Sequence, residues 1–249
     1  MAGSIRFLLA LGAVGGEATG ELAQAIWNRF SRSARLAEAY RRLRLAGHIE
    51  VHGTGPIDTR IVRLTADGRR ASTAGIDPVQ QWDRPWDGIW RIVAFDIPET
   101  AANLRVRLRR KLHAHRFGWL QNSVWISPDP IAEFHSHVNE TPLLPESLTV
   151  LKAQPSGGES SEAIVASAWD FEALAKAQKH YLEVLNLRPT RLSRDGAWAN
   201  WLTTEQRAWG RVAKLDPFLP RVLHPSTYRG EAIWKARTEA YAALGRSFA

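Results

Sequence analysis

At Gly47 the period of the hydrophobic pattern changes, and that change limits what the N-terminal third can fold into. Before it, apolar residues recur at helical spacing: Leu22, Ile26 and Phe30 at i, i+4, i+8, then Leu36, Tyr40 and Leu43 at i, i+4, i+7. Ile5 to Val14 predicts an earlier short helix stopped by Gly15-Gly16. Thr19 is a candidate cap for the second helix, and Ser31 or Ser33 for the third. After Gly47, His48 to His52 alternates, Gly53-Thr54-Gly55-Pro56 turns, and Thr59 to Leu64 alternates again, which is a hairpin. Thr65-Ala66-Asp67-Gly68 closes it with turn chemistry. Three short helices and a hairpin describe a winged helix-turn-helix over residues 1–75.

With Leu36, Tyr40 and Leu43 turned inward, the third helix points Arg41 and Arg42 outward with Ala34 and Ala37. Arg32, Ser33 and Arg35 lie at its start, and the wing ends in Arg60 and Arg63. Small residues let a helix approach the major groove, and Arg pairs with phosphate or bidentately with guanine. Arg32, Ser33, Arg35, Arg41, Arg42, Arg60 and Arg63 are therefore the candidate contacts to a double-stranded DNA operator. The alternative is a solvated face whose arginines have no partner.

Charge supports the first reading, because a basic surface attracts a polyanion. Of the net +8, residues 1–75 hold 11 Lys and Arg against 6 Asp and Glu. Residues 76–170 reverse this, with 9 against 12, and residues 171–249 hold 13 against 7.

The chain has no Cys, which removes disulfides, thiolate metal sites and Cys nucleophiles together. The start reads as the first helix of a domain rather than a signal peptide. No apolar run approaches the roughly 18 residues a membrane span needs, so a cytoplasmic protein is expected. His113-x-His115 and His135-x-His137 do not make a metal site on a helix, where i and i+2 face apart. No Gly-rich nucleotide loop, Ser-His-Asp order or zinc-ligand spacing occurs, so neither a metal nor a cofactor is expected.

Residues 82–170 open with the aromatic linker Trp82-Asp83-Arg84-Pro85-Trp86-Asp87-Gly88-Ile89-Trp90 and run into a buried-type strand, Arg91 to Ile97, ended by Pro98. An Arg-rich helix follows from Asn103 to about Arg116, with Leu104, Leu108 and Leu112 on one side. Trp119 to Ser127 reads as a strand, Ile131 to Asn139 as a helix, Leu148 to Ala153 as a strand and Ala163 to Trp169 as a fourth strand.

Ile92-Val93-Ala94-Phe95-Asp96-Ile97-Pro98-Glu99, the Arg-rich helix and Leu120-Gln121-Asn122-Ser123-Val124-Trp125 resemble the ferredoxin-like CRISPR adaptation endonuclease subunit. In that family the strand-end Asp pairs with its dimer mate around one metal ion, and Asp96 holds that motif position. The same stretch, preceded by Trp86 to Trp90, resembles more closely the PaaX-type repressors of phenylacetate degradation. These join a winged helix to a ferredoxin-like domain. Leu215-Asp216-Pro217-Phe218-Leu219-Pro220, Leu223-His224-Pro225 and Tyr228-Arg229-Gly230 look like their C-terminal signature. The resemblance implies a regulator with no catalytic residue. The alternative is a metal-dependent nuclease using Asp96 in a dimer, against which Asp96 caps its turn or pairs with Arg91 or Arg105.

Residues 171–249 read as a helical domain: Phe171 to Leu187, Ala197 to Val212 and Glu231 to Leu244, carrying Trp198, Trp201, Trp209 and Trp234 as packing residues. In the resemblance the effector is an aryl-CoA thioester, whose phosphates require arginines. Arg188, Arg191, Arg207 and Arg211 are the candidates. The fold expected is thus α+β, with an N-terminal winged helix-turn-helix, a central ferredoxin-like domain and a C-terminal helical domain, assembled as a homodimer.

Overall fold

Helix gives way to sheet at Gly47, as the period requires. Helix α2 (Leu36–Leu45) is closed by a Schellman motif. Gly47 takes φ +70, its amide donates to the Arg44 carbonyl at 3.0 Å, and the His48 amide donates to the Leu43 carbonyl at 2.8 Å. In the computed structural model the described residues are 7–8, 10–12, 16–30, 36–56, 59–72, 76–131, 148–190 and 197–246.

Strands β2 (Ile49–His52) and β3 (Ile61–Leu64) pair antiparallel as the expected hairpin. A third strand, β1 (Glu17–Thr19), adds to the free edge of β3 and makes the sheet order β1-β3-β2. Thr19 is therefore the end of a strand, followed directly by helix α1 (Gly20–Phe30). The cause is backbone satisfaction: the free edge of β3 needs acceptors, and Leu64 donates to the Gly16 carbonyl at 2.6 Å. Phe7, Trp27 and Tyr40 form the aromatic centre of this core, with Phe7 edge-on to Trp27 at 5.7 Å. The expected turn after the hairpin is helix α3 (Ala66–Ser72), its start capped by the Thr65 hydroxyl, which accepts from the Gly68 amide at 3.0 Å. A Thr before a short polar segment reads the same way for a turn and for a cap.

Contacts group the chain into two units, each discontinuous in sequence. The first takes Met1–Asp77, Leu174–Lys214 and Arg229–Ala249, and the second Pro78–Ala173 and Leu215–Tyr228. The C-terminal third thus contributes to both.

In the second unit, helix α4 (Pro78–Trp82) ends on the first residue of what the sequence reads as linker. Strands β4 (Trp90–Phe95), β5 (Gly118–Gln121), β6 (Val124–Ser127) and β7 (Leu148–Ala153) form one antiparallel sheet in the order β5-β6-β4-β7. That is the strand order of a ferredoxin-like domain. Two expectations are corrected here. Trp119 to Ser127 is not one strand but a hairpin, broken at Asn122, which adopts φ 42. Ala163 to Trp169 is not a strand but lies in helix α6 (Ser161–Ala168), capped by the Ser160 hydroxyl accepting from the Ala163 amide at 3.1 Å. A short apolar run has no period of its own, and the cap decides. The helix expected from Ile131 to Asn139 lies outside the described residues beyond Ile131.

Alternation along β4 sorts its side chains. Val93 and Phe95 join Trp125 and the Leu108 and Leu112 of helix α5 (Ala102–Ala114) on one sheet face. Trp90 and Ile126 join Val165 and Ala168 of α6, with Leu219 and Leu223, on the other. Gly118 permits the close approach of α6, since a Cβ there would lie 2.7 Å from the Ala168 Cβ and from the Trp169 ring.

The remaining helices, α7 (Phe171–Asn186), α8 (Ala197–Leu215) and α9 (Gly230–Arg246), follow the expected pattern with ends shifted by up to three residues. Among the described residues no helix is long and apolar enough to cross a membrane.

Candidate nucleic-acid interface

Tyr40 and Leu43 are buried, which turns the opposite face of α2 outward. Arg41 and Arg42 are exposed, as are Ala37 and Arg44. The Ala37–Arg41–Arg44 strip runs at i, i+4, i+7 and borders a recess of about 230 Å³, closed on the other side by Val51 and Arg60 of the hairpin. Three arginines, Arg41, Arg44 and Arg60, thus line one recess between the helix and the hairpin. Arg44 joins the candidates only in the structure, although its spacing from Ala37 and Arg41 carries the signal. Arg42 does not line this recess.

Arg60 is held rather than loose. Its Nε and Nη2 both donate to the Gly55 carbonyl, at 2.9 and 2.7 Å, and Thr59 donates its hydroxyl to the Pro56 carbonyl at 2.8 Å. The hairpin loop is therefore braced by its own side chains, and Arg60 also lines the recess. Arg63 sits on the central strand, exposed and in register with Glu17 on one side and Glu50 on the other. Arg32, Ser33 and Arg35 lie outside the described residues.

Asp96 is exposed directly after β4. The two arginines suggested as its partners are committed elsewhere. Arg91 is buried and donates to both Asp87 oxygens, at 2.7 and 2.5 Å, and to the Pro128 carbonyl at 3.0 Å. This pairing holds the Asp87 carboxyl down at about 2. Arg105 donates to the Ile97 carbonyl. Among the described residues no three His, Asp or Glu side chains group as a metal site requires. His113 packs edge-on against Trp125 at 4.8 Å, and His135 and His137 lie outside the described residues.

The effector arginines are scattered. Arg207 and Arg211 share an exposed strip of α8, Arg188 follows the end of α7, and Arg191 lies outside the described residues. None borders the recess on α2 or a larger one of about 550 Å³ inside the second unit. That larger recess lies over the sheet, between Trp90, Ile92, Ile126 and Ala153 on one side and Ile164 on the other. It has no Lys or Arg in its lining, and Glu159 is its one ionisable residue.

Two buried polar clusters were not foreseen. Glu205 accepts from Tyr181 and Tyr241 at 2.6 Å each and from the Arg237 Nε at 2.9 Å. Asp216 accepts from the Phe218 amide at 2.8 Å and from the Tyr228 hydroxyl at 2.8 and 2.9 Å, while Trp82 donates to that same hydroxyl at 2.9 Å. The motif residues Asp216, Phe218 and Tyr228 thereby form the seam that fastens residues 215–228 onto the second unit.

Residues 83–165 match the family model described as the PaaX protein central Cas2-like domain. Among solved structures, the uncharacterized protein Rv0674 from Mycobacterium tuberculosis is similar. Its TM-score is 0.57 at 20% identity, over 97% of this chain and 94% of that one. No curated protein matches the sequence.

Proposed function

We propose that this chain, whose middle is the central Cas2-like domain of the PaaX proteins, is a DNA-binding transcriptional regulator. In this reading residues 1–75 read an operator, residues 82–170 mediate homodimerisation and residues 171–249 respond to an effector. The protein acts in the cytoplasm as a repressor of an aromatic or acyl-CoA catabolic operon, and a CoA-thioester-like effector relieves the repression. It is not an enzyme. The observation that carries the DNA-binding reading is the exposed face of α2, where Arg41 and Arg44 meet Arg60 of a braced wing. A helix of this kind enters the major groove while the wing touches the backbone.

The test is a gel-shift titration with the promoter DNA beside the protein's own gene. Arg41→Ala/Arg42→Ala should weaken binding by roughly 1–3 kcal/mol, or about 5- to 150-fold, with an unchanged circular dichroism spectrum. Unchanged affinity would show that the docking face lies elsewhere.

A further inference from the structure

Between Glu99 and Asp129 the chain has no acidic residue, yet it carries Arg105, Arg107, Arg109, Arg110, Lys111 and Arg116. This run lies inside the one segment whose net charge is negative. Five of the six stand on α5. A solvated helix face normally mixes both signs, because like charges three or four apart repel. Here Arg105–Arg109, Arg107–Lys111 and Arg107–Arg110 are all like pairs at those spacings.

The structure separates these cations by what they do. Leu108 and Leu112 bury the inner face of α5 against the sheet. Arg105 donates to the Ile97 carbonyl, and Arg109 reaches the Asn122 carbonyl at 3.3 Å. Arg116 donates to the Asp216 carbonyl and stacks over Phe218, 4.7 Å from the ring centre. Arg107 and Arg110 remain exposed, one turn apart, with no partner among the described residues. Asn103 and Ala114 extend the same strip, also exposed, so nothing bulky or acidic on the helix itself stands in front of the pair.

We infer that the outer face of α5, through Arg107 and Arg110, is a second, sequence-independent surface for the phosphate backbone of duplex DNA. An Arg pair with no partner among the described residues, on a helix that itself carries no carboxylate, supplies forked donors for phosphate oxygens and relieves its own repulsion on binding. The helix is anchored by its leucines, so the pair is presented on a rigid element. This inference rests on the DNA-binding reading above and adds to it a contact outside the winged helix.

The test uses the full chain and a random-sequence duplex of about 40 base pairs, followed by fluorescence anisotropy between about 50 and 200 mM salt. Each phosphate contact contributes about 0.9 to the slope of log affinity against log salt. Arg107→Ala/Arg110→Ala should therefore lower the slope by about 1.8, which shrinks the affinity loss across that salt range roughly twelvefold. Arg107→Lys/Arg110→Lys should restore most of it, because a point charge still meets a phosphate. An unchanged slope in the Ala variant, with Arg41→Ala/Arg42→Ala still lowering it, overturns this inference and leaves the regulator reading standing. A lowered slope that Lys does not restore overturns it too, because the loss would then be structural. Absence of any salt-dependent binding by the unaltered protein overturns both.

Discussion

Asp216 shows what burial does to a single carboxyl. Desolvation raises it to about 6, against the opposing pull of the Phe218 amide, the Tyr228 hydroxyl and the Arg116 charge. The folded state therefore holds this proton more tightly than the unfolded chain, in which the group titrates near 3.8. Between those two values the folded protein binds more protons, so this group makes stability fall as pH rises through the window and leaves it lower above about pH 6. The full cost is about 3 kcal/mol. Thermal melts of the natural protein and of Asp216→Asn, taken from pH 4 to pH 7, should show their difference moving in favour of the Asn variant as pH increases. A difference that stays flat across that range would mean the carboxyl is not desolvated as its surroundings imply. At the same scale, Arg60 illustrates a side chain with two tasks, bracing the hairpin loop through Gly55 and lining the recess on α2.

At the scale of elements, α8 is the organiser of the helical part of the first unit. Its Glu205 accepts from Tyr181 on α7 and from Arg237 and Tyr241 on α9, so one carboxylate ties three helices. Arg237 is itself stacked by Trp209, Trp234 and Tyr241 at 5.0, 5.4 and 4.7 Å, and its charge is fully compensated only while Glu205 is present. Removing one member of a buried ion pair strands the other. Glu205→Ala should destabilise by about 3–5 kcal/mol in urea unfolding. Glu205→Gln keeps one carbonyl acceptor and should cost less. Equal losses in both variants would assign the effect to packing volume and not to the charge. The many tryptophans of the C-terminal third act here as packing and as hydrogen-bond ties, as when Trp201 donates to the Val184 carbonyl at 2.8 Å.

For the whole molecule, the grouping of contacts has a consequence for the proposed regulation. The C-terminal segment passes from the first unit into the second at Leu215 and returns at Arg229. An effector that acts on residues 174–214 or 229–249 would therefore bear on helices grouped with the proposed DNA-binding residues 1–75. The proposed homodimer is checked by light scattering, which should give twice the 27.9 kDa chain mass at micromolar protein. A mass of one chain would remove the paired heads that a palindromic operator requires.

Local period and capping chemistry were enough to locate the helix and hairpin on either side of Gly47, strands β4 and β7 and all three C-terminal helices. Each of these depends on residues a few positions apart. Tyr40 and Leu43 point inward because helical spacing leaves them no other choice, and Arg41 points outward for the same reason. Where the period is ambiguous, other contacts decided: Ala163 to Trp169 is an apolar run that suits strand or helix, the Ser160 cap starts it as helix, and Gly118 lets that helix approach the sheet closely. Strand β1 exists because β3 had an edge to satisfy, a fact invisible around Thr19. The meeting of Arg41 and Arg44 with Arg60, the release of Arg107 and Arg110 from any partner among the described residues, and the closure of Glu205 by side chains from two other helices belong to the tertiary structure alone. Spacing along a chain determines which face a side chain takes. Which distant residue meets it there is set by how whole elements bury their apolar faces together.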